Sequence, residues 1–228
     1  MADDEYTGKV RPGGPTQVRR LGCLTLTKVA VDEQMSNNCY LLHCGETDEM
    51  VVVDAAAEPE RLLELIGDAS VTTIVTTHQH WDHHRGLAEV QRTTGATVAV
   101  GTPDADAVEE QTGVRVDRRL EHGDRVAVGT CDLRVIALAG HTPGSVALLL
   151  DDEKVDARPH LLTGDSLFPG GVGNTFGDDE AFAQLVDEVE TKVFGTLPDE
   201  TWFYPGHGDD STLGAERPHL QEWRERGW

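Results

Sequence analysis

Three imidazoles and a carboxylate crowd into six residues of the stretch Thr77-His78-Gln79-His80-Trp81-Asp82-His83. Nitrogen and oxygen donors grouped so closely suit the binding of divalent metal ions. In an extended loop, residues i and i+2 point the same way, so His78 and His80 can approach one metal. Asp82 and His83 lie further on and can turn towards a second. Packing gives no reason for the cluster, because burying unpaired imidazoles and a carboxylate is costly. Three later segments each offer one more donor beside glycine: Gly140-His141-Thr142-Pro143-Gly144, Gly164-Asp165-Ser166 and Pro205-Gly206-His207-Gly208. Glycine lets backbone come close to a site and allows positive φ. One histidine in a turn is an ordinary surface residue; the weight lies in the joint occurrence.

Each donor segment follows a stretch that reads as a strand. Val71 to Thr77 is β-branched almost throughout and leads into the histidine cluster. Leu133 to Ala139 precedes His141, His160 to Leu162 precedes Asp165, and Thr201 to Tyr204 precedes His207. Met50 to Val53 is a short buried strand that delivers Asp54. Further strands are expected within Val18 to Ala30 and at Cys39 to His43, Thr97 to Val100 and Val146 to Leu150, with Asn37-Asn38 marking a turn. Helices are expected over Glu58 to Ile66, opened by Pro59, and from Asp82 to Thr94. Two more are expected from Asp179 to Phe194, capped by Asp178, and from Pro218 to Arg226. Thr102 to Arg119, polar with a Pro and a Gly, reads as an internal connection. Strands and helices mix through both halves, which implies an α/β sandwich of two mixed sheets covered by helices. We expect a flexible leader over 1–16 and one domain over 17–228.

With 228 residues the chain is long enough for a substantial core. No apolar run approaches the roughly 20 residues of a membrane helix, and Met1 to Pro15 lacks the basic and apolar regions of a signal peptide. Membrane partners are therefore not expected, and the cytoplasm is the expected location. Asp and Glu number 41 against 19 Lys and Arg, a net charge of −22. Such a surface repels phosphate backbones, which argues against nucleic acid and leaves a small-molecule substrate. The oligomeric state is not legible. The cysteines Cys23, Cys39, Cys44 and Cys131 form no C-x-x-C pair and read as reduced, mostly buried thiols.

The order H-x-H-x-D-H, G-H-T-P-G, G-D, P-G-H-G resembles the metallo-β-lactamase superfamily over about Asn37 to Arg217. The resemblance implies an αββα sandwich with the metal site at the strand edges. It implies that His78, His80 and His141 hold one metal, that Asp82, His83 and His207 hold a second, and that Asp165 bridges them. Asp54 would support the metal loop without being a ligand, and Asp82 would also orient the nucleophile. His84 has no matching ligand position. The cofactor implied is two divalent ions, zinc first, with iron or manganese compatible, sharing a hydroxide that attacks a carbonyl. Thr163-Gly164-Asp165-Ser166-Leu167-Phe168, Tyr204 to Gly208 and Ser211 to Arg217 are similar to short bacterial glyoxalase II-like proteins, which implies S-acyl thioester hydrolysis. The basic and Tyr contacts that the long glyoxalase II enzymes make to glutathione cannot be matched to residues after His207, so the thiol carrier stays open. Pro169 to Thr175 is unlike the common version and reads either as a loop bordering the substrate or as a tight connection. Alternatives are a persulfide dioxygenase holding one iron on His78, His141 and Asp165, and a hydrolase of lactones or small esters.

Overall fold

The computed structural model describes residues 6–152 and 155–227. Four strands open the chain in antiparallel succession: β1 (Gln17–Leu21), β2 (Leu24–Val31), β3 (Asn37–Cys44) and β4 (Glu49–Val53). The sheet then continues in parallel through β5 (Ser70–Thr76), β6 (Thr97–Gly101) and β7 (Arg118–Leu120). Helices α1 (Pro59–Ile66), α2 (Leu87–Thr94) and α3 (Ala105–Thr112) form the crossovers that parallel strands need. The second half begins with β8 (Arg125–Val128), β9 (Cys131–Ala137), β10 (Val146–Leu150) and β11 (His160–Gly164). A small hairpin of β12 (Leu167–Phe168) and β13 (Gly171–Val172) leads to α4 (Asp179–Val189). The chain closes with β14 (Trp202–Pro205), β15 (Ser211–Thr212), α5 (Leu213–Glu216) and α6 (Leu220–Arg226). The second sheet has the order β15-β14-β11-β10-β9-β8, and only its β11–β14 pair is parallel.

Alternation along the strands builds the layers. In β3, Tyr40 and Leu42 face the second sheet while Cys39 and Leu41 face helices. Val75 points inward and Ile74 outward from β5; Leu148 points inward and Leu149 outward from β10. Successive side chains on a strand lie on opposite faces, so each sheet acquires two apolar faces and must be covered on both. Leu62, Leu87, Val90 and Val108 cover the first sheet, and Leu185, Val189 and Trp223 cover the second. The result is the expected αββα sandwich, with its main core between the sheets.

Several boundaries differ from expectation. The helix expected from Asp82 starts only at Leu87, after a short 3₁₀ turn over Trp81–His83. Backbone N–H groups of Arg85 and Gly86 bond to Ala56 and Ala55 carbonyls instead of the helix ladder, which holds the donors near Asp54. Asn37 and Asn38 are not a turn but the buried start of β3. The connection expected over 102–119 carries α3 and β7. Asp178 caps α4 as expected, accepting from the Glu180 and Ala181 N–H groups at 3.0 Å. Of the leader expected over 1–16, residues 1–5 lie outside the described residues. From Tyr6 onward the segment is tied down: Tyr6 Oη donates to Asp210 at 2.7 Å, and the Gly8 carbonyl accepts from Lys28 Nζ at 2.7 Å. Among the described residues, no helix is long and apolar enough to cross a membrane.

Candidate metal centre

The seven donors expected from sequence converge at one edge of the sandwich. His78 to His83 follow β5, His141 follows β9, Asp165 follows β11 and His207 follows β14. Their donor atoms fall into three overlapping groups: His78, His80 and His141; His78, His83 and Asp165; and Asp82, His83 and His207. In the first group, His80 Nδ1 lies 2.9 Å from His141 Nε2, and His78 Nε2 lies 3.2 Å and 3.3 Å from those two atoms. In the last, His83 Nε2 is 3.2 Å from His207 Nε2, and both are about as far again from Asp82 Oδ2, at 3.6 and 3.5 Å. Asp165 lies between the groups: Oδ1 is 3.5 Å from His83 Nε2, and Oδ2 is 3.4 Å from His207 Nε2 and 3.7 Å from His141 Nε2.

These spacings match the edges of a coordination tetrahedron. Bonds of about 2.1 Å place neighbouring donors roughly 3.4 Å apart. Three imidazole nitrogens facing one another cannot all be satisfied by protons, whereas a cation satisfies them together. Asp165 Oδ1 is buried and has no hydrogen-bond partner, which is costly unless a ligand completes it. The donor set therefore fits divalent metal ions.

The outward side of the cluster is fixed. Asp54 accepts from the Thr77 N–H at 2.7 Å and the Thr77 hydroxyl at 2.8 Å, and its Oδ2 lies 2.8 Å from His83 Nδ1. His141 Nδ1 bonds to the Asn174 carbonyl at 2.7 Å and His207 Nδ1 to the Met35 carbonyl at 2.9 Å. Such bonds set the tautomer and aim the free nitrogen inward. Asn37 Nδ2 donates to Asp82 Oδ2 at 2.9 Å. Gly206 is required here: a Cβ on it would sit 2.1 Å from Asp165 Oδ1. His84 stays outside the three groups, with Nε2 on the Gln79 carbonyl at 3.1 Å.

Sequence reasoning missed Asn37 as a site residue and missed Asp104 altogether. Asp104 is fully buried and accepts from the Gln79 N–H at 2.9 Å, the Thr142 hydroxyl at 2.5 Å and the Gly144 N–H at 2.7 Å. It ties the loop of His78 and His80 to the loop of His141. Thr102-Pro103-Asp104 carries no motif; its only signal is an acidic residue next to proline.

Electrostatics divide the cluster. Burial, then neighbouring His83, depress His78 well below the ordinary histidine range. Burial opposes charge on His83 as well, but Asp165 and Asp54 overcome it and hold it well above that range. His207 is raised to about 9, because hydrogen bonds to Asp165 and Asp82 outweigh burial. Burial likewise works against charge on Asp165, yet His83 and His207 hold that carboxyl well below its usual value. The Asp165 carboxylate is thus ionised and acceptor-only, as metal binding needs.

A family model described as the metallo-beta-lactamase superfamily matches residues 33–207, which include all seven donors. The chain belongs to this superfamily. The hydroxyacylglutathione hydrolase-like protein of Mus musculus is 34% identical over 173 residues, covering 75% of this chain and 57% of the relative. The chain thus spans little more than half the length of that relative. The hydroxyacylglutathione hydrolase of Cereibacter sphaeroides is 33% identical over 187 residues, covering 81% of this chain and 67% of the relative. Among solved structures, TTHA1623 in a di-iron-bound form is 30% identical with a TM-score of 0.65, covering 83% of this chain and 96% of that one.

Proposed function

We propose that this chain is a metal-dependent hydrolase of S-acyl thioesters with a two-metal centre. The observation that carries the reading is Asp165, whose buried Oδ1 lacks a protein partner while its carboxylate lies between two histidine groups. An oxygen-only residue shared by two nitrogen-rich groups suits a bridging ligand. His78, His80 and His141 would hold one ion, and Asp82, His83 and His207 the other. Two ions held there would supply an activated water at neutral pH and polarise a carbonyl oxygen. Similarity to the mouse hydroxyacylglutathione hydrolase-like protein and the Cereibacter hydroxyacylglutathione hydrolase supports thioester hydrolysis, and the di-iron neighbour supports a binuclear centre. The nitrogen and oxygen donors suit zinc first and are compatible with iron or manganese.

The chain's own groups define the rest. Asp82 Oδ2 accepts a hydrogen bond from Asn37 and would orient the attacking water. The loop bonds to Asn174 and Met35 keep His141 and His207 turned inward. Metal content measured by elemental analysis, alongside turnover of a panel of thioesters, tests the proposal. About two metals per chain with thioester hydrolysis is the expected outcome. About one iron per chain, with oxygen uptake on a persulfide and no hydrolysis, would replace it with the dioxygenase.

A further inference from the structure

Beside the metal centre lies a cleft of about 470 Å³, walled by His80 and His141 and by Gln79, Pro143, Phe176 and Gln184. Two features of this cleft are unexplained by folding. Phe176 is 72% exposed, more than any other large apolar side chain among the described residues. It also has a φ of +57°, in the left-handed region that bulky residues avoid. A strained and exposed aromatic residue contributes little to a core, so its place beside the donor cluster points to a ligand. Its ring centroid lies 5.7 Å from that of His80 and 6.1 Å from that of His141. The loop that carries it is anchored: Phe176 N–H donates to Asn174 Oδ1 at 2.7 Å, and the Asn174 carbonyl accepts from His141 at 2.7 Å.

The second feature is charge. Among the described residues, no lysine or arginine lines the cleft, and its acidic member is Asp178. The chain as a whole carries −22. A glutathione carrier, with two carboxylates against one ammonium, would bring net negative charge into a cleft that offers its carboxylates no lysine or arginine, against a repulsive field.

We infer that the substrate presents an uncharged apolar group, alkyl or aryl, to this cleft, and that Phe176 is the residue that selects it. The inference rests on the thioester hydrolase reading. Phe176 supplies a flat apolar shelf next to the metal centre, and the reacting carbonyl reaches the ions while the apolar group lies across the ring.

Two non-hydrolysable thioethers with the same benzyl group separate charge from apolar contact: N-acetyl-S-benzylcysteamine, which is neutral, and S-benzylglutathione. Their binding to the metal-loaded full chain is measured by calorimetry. The neutral probe should bind at least about tenfold more tightly, and Phe176→Ala should remove roughly tenfold of its affinity while Phe176→Leu keeps most of it. In turnover of the phenylacetyl thioester of N-acetylcysteamine, the Phe176→Ala loss should fall in KM more than in kcat. Equal or tighter binding of S-benzylglutathione, or unchanged affinity in Phe176→Ala, would overturn the inference. Failure to hydrolyse any thioester, with the preference for the neutral thioether intact, would instead overturn the hydrolase reading and leave the apolar contact at Phe176 standing.

Discussion

Asp165 concentrates the chemistry of single residues, because its two oxygens face three histidines and no protein donor satisfies Oδ1. Replacing Asp165 by Ala should lower metal content and hydrolysis together; two tightly held metals in that variant, by elemental analysis, would contradict the bridging role. A different residue should govern acid stability. His160 is buried, and burial together with nearby Arg19 depresses it to about 4. Its Nδ1 lies 2.9 Å from Tyr204 Oη, which also accepts from Arg19. The unfolded chain takes up this proton near pH 6.5 and the folded one only near 4, so stability falls as pH drops through that window and is unaffected above it. Relative to His160→Asn, the protein should lose up to about 3 kcal/mol between pH 6.5 and 4, read from urea unfolding at several pH values. The seven clustered donors were legible in sequence because polar residues gathered at strand ends have no packing explanation. Asn37 and Asp104 were not, since a residue that bonds to a donor, as Asn37 does to Asp82, or to a donor's neighbours, as Asp104 does, looks like any other polar residue until the chain folds.

Strand ends carry the donors, and the loops between them need their own supports. Asp104, one residue before α3, accepts three hydrogen bonds from the loops of His80 and His141. Asp104→Ala should destabilise the fold by about 2–4 kcal/mol in urea unfolding, since it orphans buried donors, and should weaken metal retention. An unchanged midpoint would show that the loops hold without it. Most elements were legible because runs such as Val71 to Thr77 and capping residues such as Asp178 announce themselves locally. The start of α2 was not, because Ala55 and Ala56 carbonyls from a different strand's end capture Arg85 and Gly86. Nor was the seat of Asn38, whose side chain donates to the Pro205 and Gly208 carbonyls across 167 and 170 residues of chain.

The whole molecule is two sheets joined by a shared core and, at one edge, by the donor cluster. Four donors come from the first sheet's loops and three from the second's, so a metal bound there would link both halves. Ligands that bind only the native state stabilise it, by about 4 kcal/mol at a free concentration 1,000-fold above Kd. Chelation should therefore lower the melting midpoint by roughly 8–16 °C for a chain of this size, reversibly on adding metal back. A midpoint indifferent to chelator would mean that the core alone joins the halves. The same arrangement sets an order in time. His207 is paired with His83 across 124 residues, so at 5–20 residues per second it is synthesised roughly 6 to 25 s later. An ion that arrives before residue 207 is added would meet an incomplete donor set, and the centre could close only once His207 is in place.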